Sequence, residues 1–200
     1  DQEAVPSRQF DISKIDFELL SREFAHTRRK NLLLRDLDEL VNQQLAKMLF
    51  ANPQRIDYYD RYQEIIDAYN AEQNRATIEK TFMDLMELAS SLDTEQQRYV
   101  REGFSSDEEL SVYDLLFSEK LTKQEIETIK KVSVDLLTKI KQQIAKLDHW
   151  TDKQETKAIV DNLIRNTLWQ ELPNSYDVSD IQTYQKKIYE YVYMRYPEVA

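Results

Sequence analysis

The side chains able to do chemistry are densest in the stretch ANPQRIDYYDRYQEIIDAYN, Ala51 to Asn70. There Asp57, Asp60, Glu64 and Asp67 recur at i, i+3, i+7 and i+10 among four tyrosines. On a helix this spacing lines one side with carboxylate oxygens, the ligand type a hard divalent cation takes. Arg61 interrupts the row and Arg55 precedes it. Asp57 and Arg61 form an i, i+4 acid–base spacing, as expected of a solvated helix face. Metal centres in helical bundles combine Glu with Glu-x-x-His from several facing helices, and no Glu-x-x-His lies in this row. The reading is a wet face, with no metal ligand assigned.

Other reactive groups are sparse. The two histidines, His26 and His149, stand far apart, and neither has a second His four residues away. There is no cysteine, which excludes disulfides and thiolate metal sites and fits a reducing cytoplasm. No serine sits in a Gly-x-Ser-x-Gly turn. Asp148 followed by Glu155-Thr156-Lys157 mimics an acid and Glu-x-Lys nuclease pattern, but it falls at a helix start and not on a sheet strand. The single glycine, Gly103, cannot build a phosphate loop or a dinucleotide fingerprint. No catalytic, cofactor-binding or metal-ligating residue is therefore expected.

Two surface features point to recognition. In HTRRKNLLLR the cations Arg28, Arg29, Lys30 and Arg35 occur without an acid, in a chain of net charge −10. They suit a phosphate or an acidic partner, or else form a basic joint between two helices. An acidic chain is a poor autonomous nucleic-acid binder, because phosphate contacts dominate that affinity. The last helix carries Tyr184, Tyr189, Tyr191, Tyr193 and Tyr196. Tyr189 and Tyr193 lie one turn apart, off the Tyr184, Ile188, Tyr191 side, so Tyr189, Tyr193 and Tyr196 are candidate interface residues.

The elements that position these groups read as helices throughout. The spacing predicts helices over Ser13 to Ala25, Lys30 to Phe50, Pro53 to Tyr69 and Thr77 to Leu92. In the third, Asn52 is the N-cap, Pro53 takes the first position, and Ile56, Tyr59, Tyr62, Ile66 and Tyr69 form the inward stripe. Capping-box patterns then start five more, at Thr94, Ser106, Thr122, Thr151 and Ser179, each with Gln or Glu three residues on. Gly103 is a natural residue to end the first of these. The expected fold is all-α, an irregular bundle of about eight or nine helices. Residues 1–12 read as a ragged N-terminal segment and residues 13–196 as one helical domain. The chain does not begin with Met, which suggests a piece excised from something larger. No apolar run is long enough to span a membrane.

TRRKNL, ANPQRIDYYDRYQEIIDAYN, VREGFSSDEELSVYDLL and LTKQEIETIKKVSVDLLTKIK, in this order and spacing, resemble the C-terminal helical region of the R subunit of type I restriction-modification enzymes. The resemblance runs from about Phe10 to Tyr196. It implies a parent subunit with a nuclease domain and two helicase-like ATPase domains that use ATP and Mg. It also implies that the helical region docks this motor onto methyltransferase and specificity subunits in a bacterial or archaeal cytoplasm. None of the family's catalytic motifs maps onto this sequence.

Three functions follow for testing: an assembly domain, a helical module contacting DNA through Arg28 to Arg35, and a metal-dependent hydrolase on the carboxylate row. They are ranked in that order.

Overall fold

The computed structural model describes residues 12–198. Among these the chain forms nine α-helices, two short 3-10 turns and no strand, in agreement with the expected all-α class. Packing divides the chain into two compact units after Arg98, a boundary the sequence reading did not draw.

The first unit begins with a 3-10 turn, Ile12–Lys14, then α1 (Phe17–His26), α2 (Lys30–Ala51), a 3-10 turn (Pro53–Arg55), α3 (Ile56–Ala71) and α4 (Arg75–Gln96). Helices α2, α3 and α4 contact one another, and α1 lies on α4. Leu34, Leu37, Val41, Leu45, Met48 and Leu49 recur at three- and four-residue steps along α2; the first five are buried and Leu49 is half-buried. Phe24 and Phe82 stack at 3.7 Å, joining α1 to α4. Tyr62 donates to Asp38 at 2.7 Å and ties α3 to α2. Arg61 reaches Glu87 of α4 at 3.2 Å.

Three expectations need correction in this unit. The first helix starts at Phe17, because Asp16 caps it by accepting from the Leu19 amide at 3.0 Å. Asn52 does act as a cap, accepting from the Gln54 amide, but of the 3-10 turn that leads into α3. The inward stripe of α3 departs from the expected one at its start. Arg55, Tyr58 and Ile65 turn inward, while Ile56 and Tyr59 are 49% and 37% exposed; Tyr62, Ile66 and Tyr69 pack on the core as expected. The physical reason is a buried ion pair: Arg55 Nε donates to Glu95 at 3.1 Å, with side chains only 3% and 7% exposed. Arg98 donates to both Glu95 oxygens at 3.0 Å. Tyr58 is half-buried beside the same carboxylate, and burial followed by the Glu95 charge pushes its phenol up.

Glu95 belongs to α4, so Thr94 does not start a helix. α4 runs through it, and its hydroxyl donates to Ser90 O one turn back.

The second unit contains most of α5 (Arg98–Arg101), then α6 (Asp107–Leu116), α7 (Lys123–Ile144), α8 (Gln154–Glu171) and α9 (Val178–Arg195). Helix α6 packs on α7 and α9, α7 on α8, and α8 on α9, closing a four-membered ring around one core. Leu110, Leu116, Ile129, Leu136, Ile140, Ile164 and Ile188 fill it. Gly103 ends α5 as predicted, at φ +86. Its amide reaches Val100 O and the Phe104 amide reaches Tyr99 O, the two bonds of a Schellman cap.

Two predicted caps hold here. Ser106 accepts from the Glu109 amide, and Thr122 from the Glu125 amide. Two do not. Asp177 caps α9 in a reciprocal box with Asp180, so Ser179 lies inside the helix. Lys153 precedes α8 without a side-chain cap, and Thr151 sits in the turn before it.

Candidate functional site

Two of the sequence-predicted interface residues, Tyr189 and Tyr193, come together on one face of the second unit, where α8 and α9 meet the turn after α7. The turn brings Trp150 inward, fully buried, and His149 before it adopts φ 44. The indole Nε1–H donates to Tyr196 O at 2.6 Å, which satisfies its one donor. Tyr189 and Tyr193 meet the indole edge to face, with ring centroids at 6.1 Å and 5.7 Å and planes at 82° and 84°. The two phenol rings lie 6.2 Å apart, as their one-turn spacing requires. Tyr193 remains 38% exposed while Tyr189 is half-buried. The aromatic pair is thus held rigid from beneath and open above.

Lys157 of α8 places its ammonium 5.9 Å from the Tyr193 ring centroid. Next to it, α8 and α9 leave a cleft of about 520 Å³ between them. Its walls offer Gln154, Lys157 and Asp161 from α8, and Gln182, Gln185 and Tyr189 from α9. Gln185 donates to Asp161 at 3.0 Å and fixes that carboxylate. Burial first, then the charge of Asp161, pushes the Tyr189 phenol up, so it stays a neutral hydrogen-bonding group. Tyr196 lies apart from this cleft. Its ring packs against Tyr191 at 6.2 Å and under Lys141, and burial pushes its phenol up.

The chemistry on this face is recognition chemistry: amides, ammonium groups, one oriented carboxylate and phenol rings. No nucleophile is paired with a base in the cleft.

The basic cluster does not stay together. Arg28 and Arg29 are exposed in the turn before α2. Lys30 turns back to pair with Glu79 at 3.0 Å and lies 4.8 Å from the Phe24 ring centroid. Arg35 is exposed and 3.8 Å from Asp36. The carboxylate row of Asp57, Asp60, Glu64 and Asp67 is exposed on α3. Among the described residues no group of three or more His, Asp or Glu is arranged to hold a metal ion. One Glu-x-x-His spacing does occur in the chain, at Glu23 and His26, both exposed at the end of α1. Asp148 is exposed beside His149, and Glu155 and Lys157 lie in the first turn of α8, so the nuclease-like spacing has no sheet around it.

Sequence reasoning missed Trp150 and the Arg55–Glu95 pair. A tryptophan in a polar turn, LDHWTDK, between two helical periods was the available signal for the first. No local signal marks the second, since its partners stand 40 residues apart.

No helix among the described residues is long and apolar enough to cross a membrane. No curated protein and no solved structure matches the chain. The family model described as type I restriction enzyme HindI endonuclease subunit-like, C-terminal, matches residues 3–196. With a match over nearly its whole length and an all-α fold, the chain belongs to the family of C-terminal domains of type I restriction enzyme HindI endonuclease subunit-like proteins.

Proposed function

We propose that this domain is an assembly module, docking the ATP-dependent translocase and endonuclease of its parent subunit onto a methyltransferase–specificity core. Membership in the endonuclease-subunit family supports the restriction context. The observation that carries the docking role is the α8–α9 face. Tyr193 and Tyr189 are braced on a buried Trp150, beside a cleft of amides and lysine. Rigid aromatic anchors next to hydrogen-bonding groups are what protein interfaces use, because little entropy is lost on binding. The domain itself performs no catalysis in this reading. ATP and Mg act in the motor and nuclease parts of the parent, and the setting is a bacterial or archaeal cytoplasm.

The experiment is gel filtration of this chain mixed with its cognate methyltransferase–specificity complex. Comigration of the wild-type chain, lost on Tyr193→Asp, supports the role. Separate elution of the wild-type chain removes it.

A second reading, direct contact with DNA, rests on the exposed Arg28, Arg29 and Arg35. With Lys30 engaged by Glu79 and Arg35 beside Asp36, Arg28 and Arg29 remain for phosphate. A salt slope of log K of about −2 would follow, at about −0.9 per phosphate neutralised.

A further inference from the structure

We infer that the groove between α1 and α2 is a second docking site, for an amphipathic helix of a partner protein whose flanks carry Lys or Arg. It lies in the first unit and does not depend on the α8–α9 face.

The groove encloses about 390 Å³, within the 300–1,000 Å³ typical of binding clefts. Leu19 and Leu20 of α1 and Leu33, Leu37 and Leu40 of α2 line it. Leu37 is buried at the floor, while Leu19 is 53% exposed, which is unusual for a leucine on the most strongly amphipathic helix of the chain. The lining of the rim is acidic: Asp16 and Glu23 on the α1 side and Asp36, exposed and 3.8 Å from Arg35, on the α2 side, with Lys14 the one cation among the lining residues.

These features select one occupant. A helix laid in a groove presents aliphatic side chains at i, i+3 or i+4, and i+7, with its charges flanking that stripe. Asp16 and Glu23 are seven residues apart, about 10 Å along the helix axis at 1.5 Å per residue. That distance equals the separation of two lysines at i and i+7 on a bound helix. Asp36 on the opposite wall faces the need for a cation on the other flank. A glutamate-flanked helix would meet like charge on both sides, so the rim discriminates.

The test uses the full chain and two synthetic helical peptides with the same leucine stripe, one flanked by Lys and the other by Glu, titrated by fluorescence anisotropy. The Lys peptide should bind about 10-fold more tightly at low salt, with the advantage shrinking as salt screens the rim. Leu19→Asp should abolish binding. Leu19 is exposed, and circular dichroism checks that the variant folds. If it does not fold, the pair Glu23→Lys and Asp36→Lys carries the test, because it should reverse the preference toward the Glu peptide. Equal binding of both peptides, binding of neither, or binding indifferent to Leu19→Asp overturns the inference. Dimers in sedimentation that Leu19→Asp dissolves would assign the groove to a second copy. Peptide binding that requires deletion of residues 1–11 would assign it to the chain's own N-terminal segment. Each of these two results also overturns it.

Discussion

Replacing Arg55 by alanine should be among the most damaging single changes in the first unit, and the structure allows its size to be worked out. Arg55 and Glu95 have side chains 3% and 7% exposed and meet at 3.1 Å. Removing one partner from a buried pair leaves an uncompensated charge, at a cost of about 3–5 kcal/mol. Here the residual Glu95 charge keeps Arg98, whose Nε lies 3.0 Å from both carboxylate oxygens. That places the cost of Arg55→Ala at the lower end, about 3 kcal/mol. Glu95→Ala should cost more, because it removes the one carboxylate that both guanidinium groups share. The double variant Arg55→Met/Glu95→Leu should recover much of the loss, since apolar replacement of a buried pair is often neutral. Urea unfolding, followed by circular dichroism, measures the wild type, both alanine variants and this double variant, with Arg55→Met and Glu95→Leu as the single variants that close the cycle. The coupling should exceed about 1.5 kcal/mol, above the range of exposed pairs. A loss below about 0.5 kcal/mol for Arg55→Ala would show that the pair behaves as a surface salt bridge, and the buried-charge reasoning would fail.

Three further outcomes are expected. Asp177→Ala and Ser106→Ala should each lower stability by about 1 kcal/mol in urea unfolding, while Ser179→Ala should change it by less than about 0.5 kcal/mol, because only the first two side chains cap a helix. Gly103→Ala should cost about 1–2 kcal/mol in the same assay although nothing lies within 4 Å of an added Cβ, because the penalty comes from φ +86. Alkaline pH should destabilise the fold cooperatively. Burial raises the phenol pKa of Tyr62, Tyr176, Tyr184, Tyr191 and Tyr196 above the usual 10.0. The unfolded chain therefore binds fewer protons than the folded one above that value, so the stability these groups provide below pH 10 is lost as pH rises. Tyrosinate absorbance should rise together with loss of helix, and ionisation of all tyrosines without unfolding would contradict this.

Helix class and number were legible because an apolar period of 3.6 over long segments is a redundant signal. The α2 stripe shows it: any single misread residue there leaves the face unchanged. Helix starts were less legible. The pattern of Ser or Thr with Gln or Glu three residues later occurs seven times after Leu92, five of them at expected helix starts, but packing decides which copies act. α4 continues through Thr94 to bury Glu95, and Asp177 starts α9 before Ser179 is reached. The departure at the start of the α3 stripe was hidden because tyrosines stand at both 58 and 59, and either could face the core. The choice is made by a charge at Glu95, far along the chain. For the same reason the α8–α9 face was half visible. The helical spacing of Tyr189 and Tyr193 joins them, but Trp150, which braces them, comes from a turn with no periodicity. The basic cluster failed as a unit since Lys30, first in α2, finds Glu79 on a neighbouring helix.

The most direct test of the docking account is calorimetry of this chain against its cognate methyltransferase–specificity complex, with wild type and Tyr193→Asp side by side. The account predicts saturable binding by the wild-type chain and at least about a 30-fold loss in the variant, the size of one interface hot spot. No heat of binding from the wild type, or equal affinity of the two proteins, would contradict the assignment of the α8–α9 face.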